Sequence, residues 1–251
     1  MIKKLLIFLL VLNTFSNAKS HLENEELYEL VWEDDFTSKN LDENKWNYRQ
    51  LGKRKNGFNI RKTVNLIDNN YLELSMINEN GNIYTSMIST QNIKEFLYGY
   101  FEIRFKLPTQ KGLQSAFWLQ SRNYGKYKGD LKKSGVEIDI FEHNSRIPNF
   151  LYHTIYYDSY NKKEVKKHQE KTPIKLDDKW HTVGLLWDNS SYSFYYDNEL
   201  VYQTTQGISQ HEEYIILSVE HTNWTKKVDK DFEKDAFLID YVKVYQKKEK
   251  K

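Results

Sequence analysis

Short runs of alternating apolar and polar residues recur along this chain, and no long stretch carries the 3.6-residue period of an amphipathic helix. Leu72, Leu74 and Met76 alternate with Glu73 and Ser75. Phe101, Ile103, Phe105 and Leu107 alternate with Glu102, Arg104 and Lys106 and stop at Pro108. A period of two puts every second side chain on one face, which is the pattern of a strand with a wet side and a dry side. Val183 to Trp187 is nearly continuous in apolar residues. Tyr192 to Tyr196, then Asp197-Asn198, then Glu199 to Tyr202 read as a hairpin with a two-residue turn. Ile215 to Val219 and Phe237 to Tyr245 supply further strands. Many strands at near-regular spacing, without helices, predict an all-β fold: a sandwich or jelly roll of antiparallel sheets.

The 251 residues, 39% of them hydrophobic, suffice for one all-β domain with a full core. No repeat, low-complexity linker or composition break divides the chain, so one domain is expected over residues 27–247, after a lead-in at 19–26 and before a basic tail at 248–251. Residues 1–18 have the layout of an export signal. Lys3-Lys4 precede an apolar run from Leu5 to Leu12, and Ser16-Asn17-Ala18 offers small residues to a signal peptidase. The run is too short to cross a bilayer as a helix. Cleavage after Ala18 and a secreted or periplasmic location are expected, with no stable membrane insertion. Without the two signal lysines, 35 basic residues face 35 acidic ones. A formally neutral domain has no electrostatic footprint for nucleic acid, and its Lys-rich patches at 162–163, 166–167 and 247–251 are interspersed with Glu as on a solvated surface. Cysteine is absent, so there are no disulfides and no thiol chemistry. A monomer is the expected state.

One stretch departs from the pattern of a packing strand. Val136-Glu137-Ile138-Asp139-Ile140-Phe141-Glu142-His143 places three carboxylates in six residues of a β-branched and aromatic run. Buried carboxylates need partners or protons, whereas cleavage of a glycosidic bond needs two carboxyl groups at a fixed separation. Glu137 and Asp139 share a face. In a regular strand Phe141 would come next and Glu142 would point away, but one extra residue, a β-bulge, brings Glu142 back beside the others. The outer Cα atoms then lie about 13 Å apart. Side chains leaning inward leave roughly 5 Å between carboxyl groups, the spacing of a retaining rather than an inverting glycosidase. The alternatives are a solvated acidic face and a metal cluster with His143 and His153, although no short His spacing of a zinc motif occurs.

The Glu-Ile-Asp-Ile-Phe-Glu string resembles the bulged signature of glycoside hydrolase family 16. The likeness extends over nearly the whole chain after residue 18. It includes Leu30-Val31-Trp32-Glu33-Asp34-Asp35-Phe36, Leu41-Asp42-Glu43-Asn44-Lys45-Trp46, Tyr98-Gly99-Tyr100-Phe101-Glu102, Ala116-Phe117-Trp118-Leu119, Lys179-Trp180-His181-Thr182 and Ile239-Asp240-Tyr241-Val242-Lys243-Val244-Tyr245. The resemblance implies a concanavalin-like jelly roll of two curved antiparallel sheets, with a polysaccharide in a concave cleft and no required cofactor. It implies an endo-acting retaining hydrolase in which Glu137 is the nucleophile, Glu142 the acid/base and Asp139 the residue between them, hydrogen-bonded to Glu137.

Further site residues are expected from position. Trp118 is a sugar-stacking platform or a core Trp. His153 is a cleft residue reaching substrate or Glu142, or a structural His. Trp46, Tyr48 and Arg49 line one end of the cleft, and Glu220 and Trp224 the other. Asp240, with an acid from Glu33 to Asp35, is a candidate ligand for a structural calcium; the alternative is an Asp bonded to backbone amides. Two features differ from the pattern. Ser218 to Trp224 stands where many relatives are Gly-rich, and Tyr48 to Arg54 is unusually basic, which suits either a charged glycan or a solvated loop. The expected substrate is a β-1,3- or β-1,3/1,4-glucan, or a galactan. A transglycosylase using the same intermediate and a non-catalytic glycan-binding module are the competing functions.

Overall fold

A computed structural model describes residues 25–68, 70–158 and 165–249. The expected signal at 1–18, most of the lead-in, Lys162-Lys163 and the last two residues of the tail lie outside them. Among the described residues seventeen strands form one continuous, strongly curved hydrogen-bonded system that folds into two layers. Among these residues helix is confined to one turn at Leu131–Ser134 and two 3-10 turns.

The layer carrying the acidic string is wholly antiparallel. Its order is Lys166–Pro173, Phe150–Tyr157, Glu137–Asn144, Gln114–Gln120, Tyr214–Glu220, Asn82–Ser89 and Asn47–Tyr48. The opposing layer runs Glu199–Thr204, Tyr192–Tyr196, His181–Trp187, Gly99–Lys106 and Lys234–Lys247. The long last strand then pairs with Tyr71–Glu79 along its first half and with Tyr28–Asp34 along its second. Strand Asn82–Ser89 joins the layers: it pairs with Tyr71–Glu79 at one end and with Tyr214–Glu220 at the other. The all-β jelly-roll sandwich expected from the alternation is the observed fold.

The core lies between the layers and is made by the dry faces of both. Phe105 stacks on Phe141 at 4.7 Å, with Phe237 edge-on to both. Trp187 stacks on Phe101. Burying each such ring contributes roughly 1.5–3 kcal/mol. Trp46 belongs to this interior. It is fully buried, packs edge-on against Trp32 and over Phe36, and donates from Nε1 to Asp34 Oδ2 at 2.8 Å. The expectation that Trp46 lines the cleft is therefore corrected: a large apolar ring with a single donor is best accommodated where that donor meets a buried carboxylate.

Candidate active site

The acidic strand is entered through Gly135, whose φ of 60° and ψ of −163° are open essentially to glycine alone. A Cβ there would stand 2.3 Å from that of Ser121. The backbone can thus pass close beneath the neighbouring strand and set Glu137 at its start. Register then locates the bulge. Toward the preceding strand, Asp139 faces Trp118 while Phe141 already faces Phe117. Toward the following strand, Asp139 faces Thr154 and Glu142 faces Tyr152. Ile140 is the additional residue. Ile138, Ile140 and Phe141 all point inward and are fully buried, so Glu142 returns to the cleft side with Glu137 and Asp139.

These three acids line a cleft of about 940 Å³. The neighbouring strand supplies two glutamines: Gln120 Nε2 donates to Glu137 Oε2 at 2.6 Å, and Gln114 Nε2 donates to Glu142 Oε1 at 2.5 Å. Asp139 is 4% exposed and shares its hydrogen bond with Glu142, not with Glu137 as expected from the resemblance. The bulge accounts for this, because it turns Glu142 back toward Asp139.

All three carboxyls are held above their usual range. Desolvation is the main cause for Glu137, raised to about 6; the Gln120 N–H and the charges of Arg54 and Lys55 oppose it. Glu142 is raised further, to about 7, by desolvation and then by the charge of Glu137. Desolvation and both glutamates hold Asp139 well above the carboxylate range. Both glutamates keep some surface open to the cleft. The walls nevertheless crowd their carboxyl groups, and that crowding governs the direction of the shift. The arrangement can offer an ionised carboxylate beside a protonated one near neutral pH.

The other expected residues divide between cleft and interior. Arg49, Trp118, Glu220 and Trp224 line the cleft. Arg54 Nε binds Glu220 at 2.6 Å, and Trp224 meets Tyr152 edge-on at 5.0 Å. Trp118 packs in a small cluster with Met87, Ala116, Tyr214 and Ile216 and is only 7% exposed. Most of its ring is covered, and its Nε1 donates to Ser218 Oγ at 3.2 Å. Tyr48 lies under the Arg61 guanidinium at 4.1 Å and is not part of the cleft lining.

His153 is also corrected. Tyr152 and Tyr156 take the cleft face of its strand, so alternation sends His153 inward, where it is fully buried. Its Nδ1–H donates to the Ile140 carbonyl at 2.6 Å, and Nε2 accepts from Thr172 Oγ1 at 2.9 Å. Burial lowers its pKa to about 4, so it stays neutral and braces the bulge from behind.

Asp240 does not fit a calcium site. It pairs with Arg104 Nη1 at 2.5 Å, and Asp34 is occupied by the Phe36 N–H, Trp46 and Lys45. Among the described residues no group of three or more His, Cys, Asp or Glu side chains converges as a metal site. Sequence reasoning passed over Gln114, Gln120, Tyr152 and Tyr156. Alternation along Gln114-Ser115-Ala116-Phe117-Trp118-Leu119-Gln120 carries the signal for the first two, since it puts both glutamines on the face of Trp118.

A model of the glycosyl hydrolases family 16 matches residues 51–243. A glucan endo-1,3-beta-glucosidase of Cryptopygus antarcticus is 31% identical, the match covering 70% of this chain and 68% of that protein. Glucan endo-1,3-beta-glucosidase A1 of Niallia circulans is 24% identical over 70% of this chain but only 29% of its own length. Among solved structures, a laminarinase from Flavobacterium sp. UMI-01 superposes with a TM-score of 0.73 at 28% identity, over 87% of this chain and all of that one. A structure described among endo-acting O-glycanases that initiate mucin breakdown superposes at 0.76 with 25% identity, over 92% of this chain and 94% of that one.

Proposed function

The chain belongs to glycosyl hydrolases family 16 and is an O-glycosyl hydrolase, and from that premise we propose that it is an exported retaining endo-β-glycosidase whose substrate is a β-1,3-glucan. The observation that carries the mechanism is the bulge at Ile140, which gathers Glu137, Asp139 and Glu142 on the cleft wall beside two glutamine donors. Ionised Glu137 attacks the anomeric carbon. As the C–O bond to the leaving sugar breaks, Glu142 gives its proton to the departing oxygen. Glu142, now a carboxylate, takes a proton from water, and that water displaces Glu137 from the sugar. Attack by an acceptor sugar in place of water gives transglycosylation from the same intermediate. Asp139 shares the proton of Glu142 and helps it alternate between acid and base. The glucan assignment draws on the endo-1,3-glucosidase and laminarinase relatives, and export draws on residues 1–18.

The test is reducing-sugar release from laminarin, lichenan and mucin O-glycans by the wild type, Glu137→Gln and Glu142→Gln. Laminarin is expected to be cleaved, with both variants folded and at least about 10³-fold slower. The rate is expected to follow a bell with its maximum between pH about 6 and about 7, where Glu137 is ionised and Glu142 protonated. Wild-type rates in either variant, or turnover confined to mucin glycans, would overturn the mechanism or the substrate respectively. Retained residues 1–18 in the mass of the exported protein would overturn cleavage.

A further inference from the structure

The two cleft glutamines sit at opposite ends of one strand and make similar bonds to the two catalytic glutamates, but the structure fixes their amides unequally. Gln120 Oε1 receives the Arg49 Nη2–H at 3.0 Å and the Tyr214 hydroxyl at 2.7 Å. Arginine has no acceptor, so the carbonyl end of this amide must face Arg49. The NH₂ end is thereby aimed at Glu137 Oε2, 2.6 Å away. Arg49 is itself fixed. It is 9% exposed, donates to Gln91 Oε1 and Tyr214 OH, and lies 5.1 Å from the centre of the Tyr214 ring. Gln120 is 5% exposed, so reversing its amide would bring two buried N–H groups face to face. Among the described residues Gln114, in contrast, is held at its carbonyl end only by the Thr222 hydroxyl at 2.8 Å. A hydroxyl donates or accepts by rotating, so nothing forbids the reversed amide.

We propose that Gln120 is the positioning residue of the nucleophile: locked by Arg49 and Tyr214, it presents an N–H to Glu137 Oε2 in every step and keeps that carboxyl in its attacking, ionised form. This rests on the reading of Glu137 as nucleophile. A nucleophile that never carries a proton during turnover is served by a donor that cannot become an acceptor. Glu142 gives and takes a proton once per cycle, and it is served by an amide free to present either end. The locking chain reaches the cleft from three separated parts of the sequence: Arg49 follows the short strand Asn47–Tyr48, Gln120 ends the strand beside the acids, and Tyr214 opens the strand beyond it.

The test compares Gln120→Met, Gln120→Glu and Gln114→Met with the wild type. Gln120→Met removes the donor while keeping the length. Gln120→Glu keeps acceptors for Arg49 and Tyr214, so it preserves the fold if the first variant unfolds. The titration of Glu137 is followed by ¹³C NMR on the free protein labelled at glutamate carboxyls, and in parallel by the acidic limb of kcat/KM on laminarin. Loss of a hydrogen bond to a charged group is expected to raise the Glu137 midpoint by about one pH unit in Gln120→Met, and by more in Gln120→Glu. Gln114→Met is expected to leave that midpoint unmoved. An unmoved Glu137 midpoint in both Gln120 variants, or an equal rise in Gln114→Met, overturns the proposal. Glu137→Gln is assayed alongside: retained laminarin hydrolysis there overturns the assignment of the nucleophile, whereas an inactive Glu137→Gln with unmoved midpoints overturns the role of Gln120 alone.

Discussion

On its inner face the strand Glu137–Asn144 presents Ile138, Ile140, Phe141 and His143, all without solvent exposure, whereas its cleft face presents Glu137, Asp139 and Glu142. The inner face stabilises the fold by removing apolar surface from water. Its one titratable group, His143, is held near pKa 4 by the same burial and remains neutral. The cleft face works against stability, since three carboxyls crowded together are all held above their ordinary values. A single backbone irregularity separates the two sets. The lesson is that the site is a strained electrostatic arrangement carried by a strand whose other side is firmly anchored.

The largest effect is expected from undoing the parity that this irregularity sets. Inserting one residue between Phe141 and Glu142 leaves Phe141 on the inner face but shifts every later side chain by one step, so Glu142 turns toward the aromatic core and His143 toward the cleft. An unpaired carboxylate would enter the aromatic core. Loss of cooperative unfolding in circular dichroism together with loss of hydrolysis is the expected result; a folded, active insertion variant would show that the bulge does not set the site. A milder break of the inner face is Phe141→Ala, which removes a ring stacked on Phe105. That is expected to lower stability by about 3–5 kcal/mol, measured by urea unfolding, while any folded fraction keeps its pH profile.

The sandwich itself was legible because period-two alternation is a local signal, and the strands around Leu72–Met76 and Phe101–Leu107 lie where that alternation puts them. The bulge was legible because chemistry required Glu142 on the face of Glu137. Trp46 and His153 were not, and for a common reason. Each was assigned to the cleft by position in a family pattern, whereas its face depends on parity within its own strand or on a donor–acceptor match, here Trp46 with Asp34 and His153 with Ile140. The glutamines were missed because their importance lies in partners far away in sequence, Arg49 and Tyr214 for one and Thr222 for the other.

A smaller effect, of opposite sign to Phe141→Ala, is expected on the cleft face. The folded-state pKa of Glu142 is about 7, above its usual 4.5, so between those values the folded protein binds more protons than the unfolded chain. Stability then falls as pH rises through this window and is lowest above it. Glu142→Gln removes that term, and because water still reaches the cleft the gain is discounted to about 1–2 kcal/mol. A rise of about 2–8 °C in Tm at pH 8 is expected, shrinking toward zero at pH 4. A Tm that rises equally at both pH values would show that the gain is not electrostatic.

The smallest effect is expected far from both faces, at the Arg104–Asp240 pair on the opposing layer. Asp240 is partly exposed and its partner more so. Ion pairs of this kind contribute about 0–1 kcal/mol, whereas a carboxylate holding a structural calcium would tie stability to the metal by mass action. Asp240→Asn is therefore expected to shift Tm by no more than about 4 °C, and by less in 0.5 M salt. Neither EDTA nor added calcium is expected to move the melting curve of the wild type. A calcium-dependent Tm that Asp240→Asn abolishes would restore the metal to this carboxylate and remove Arg104 as its sufficient partner.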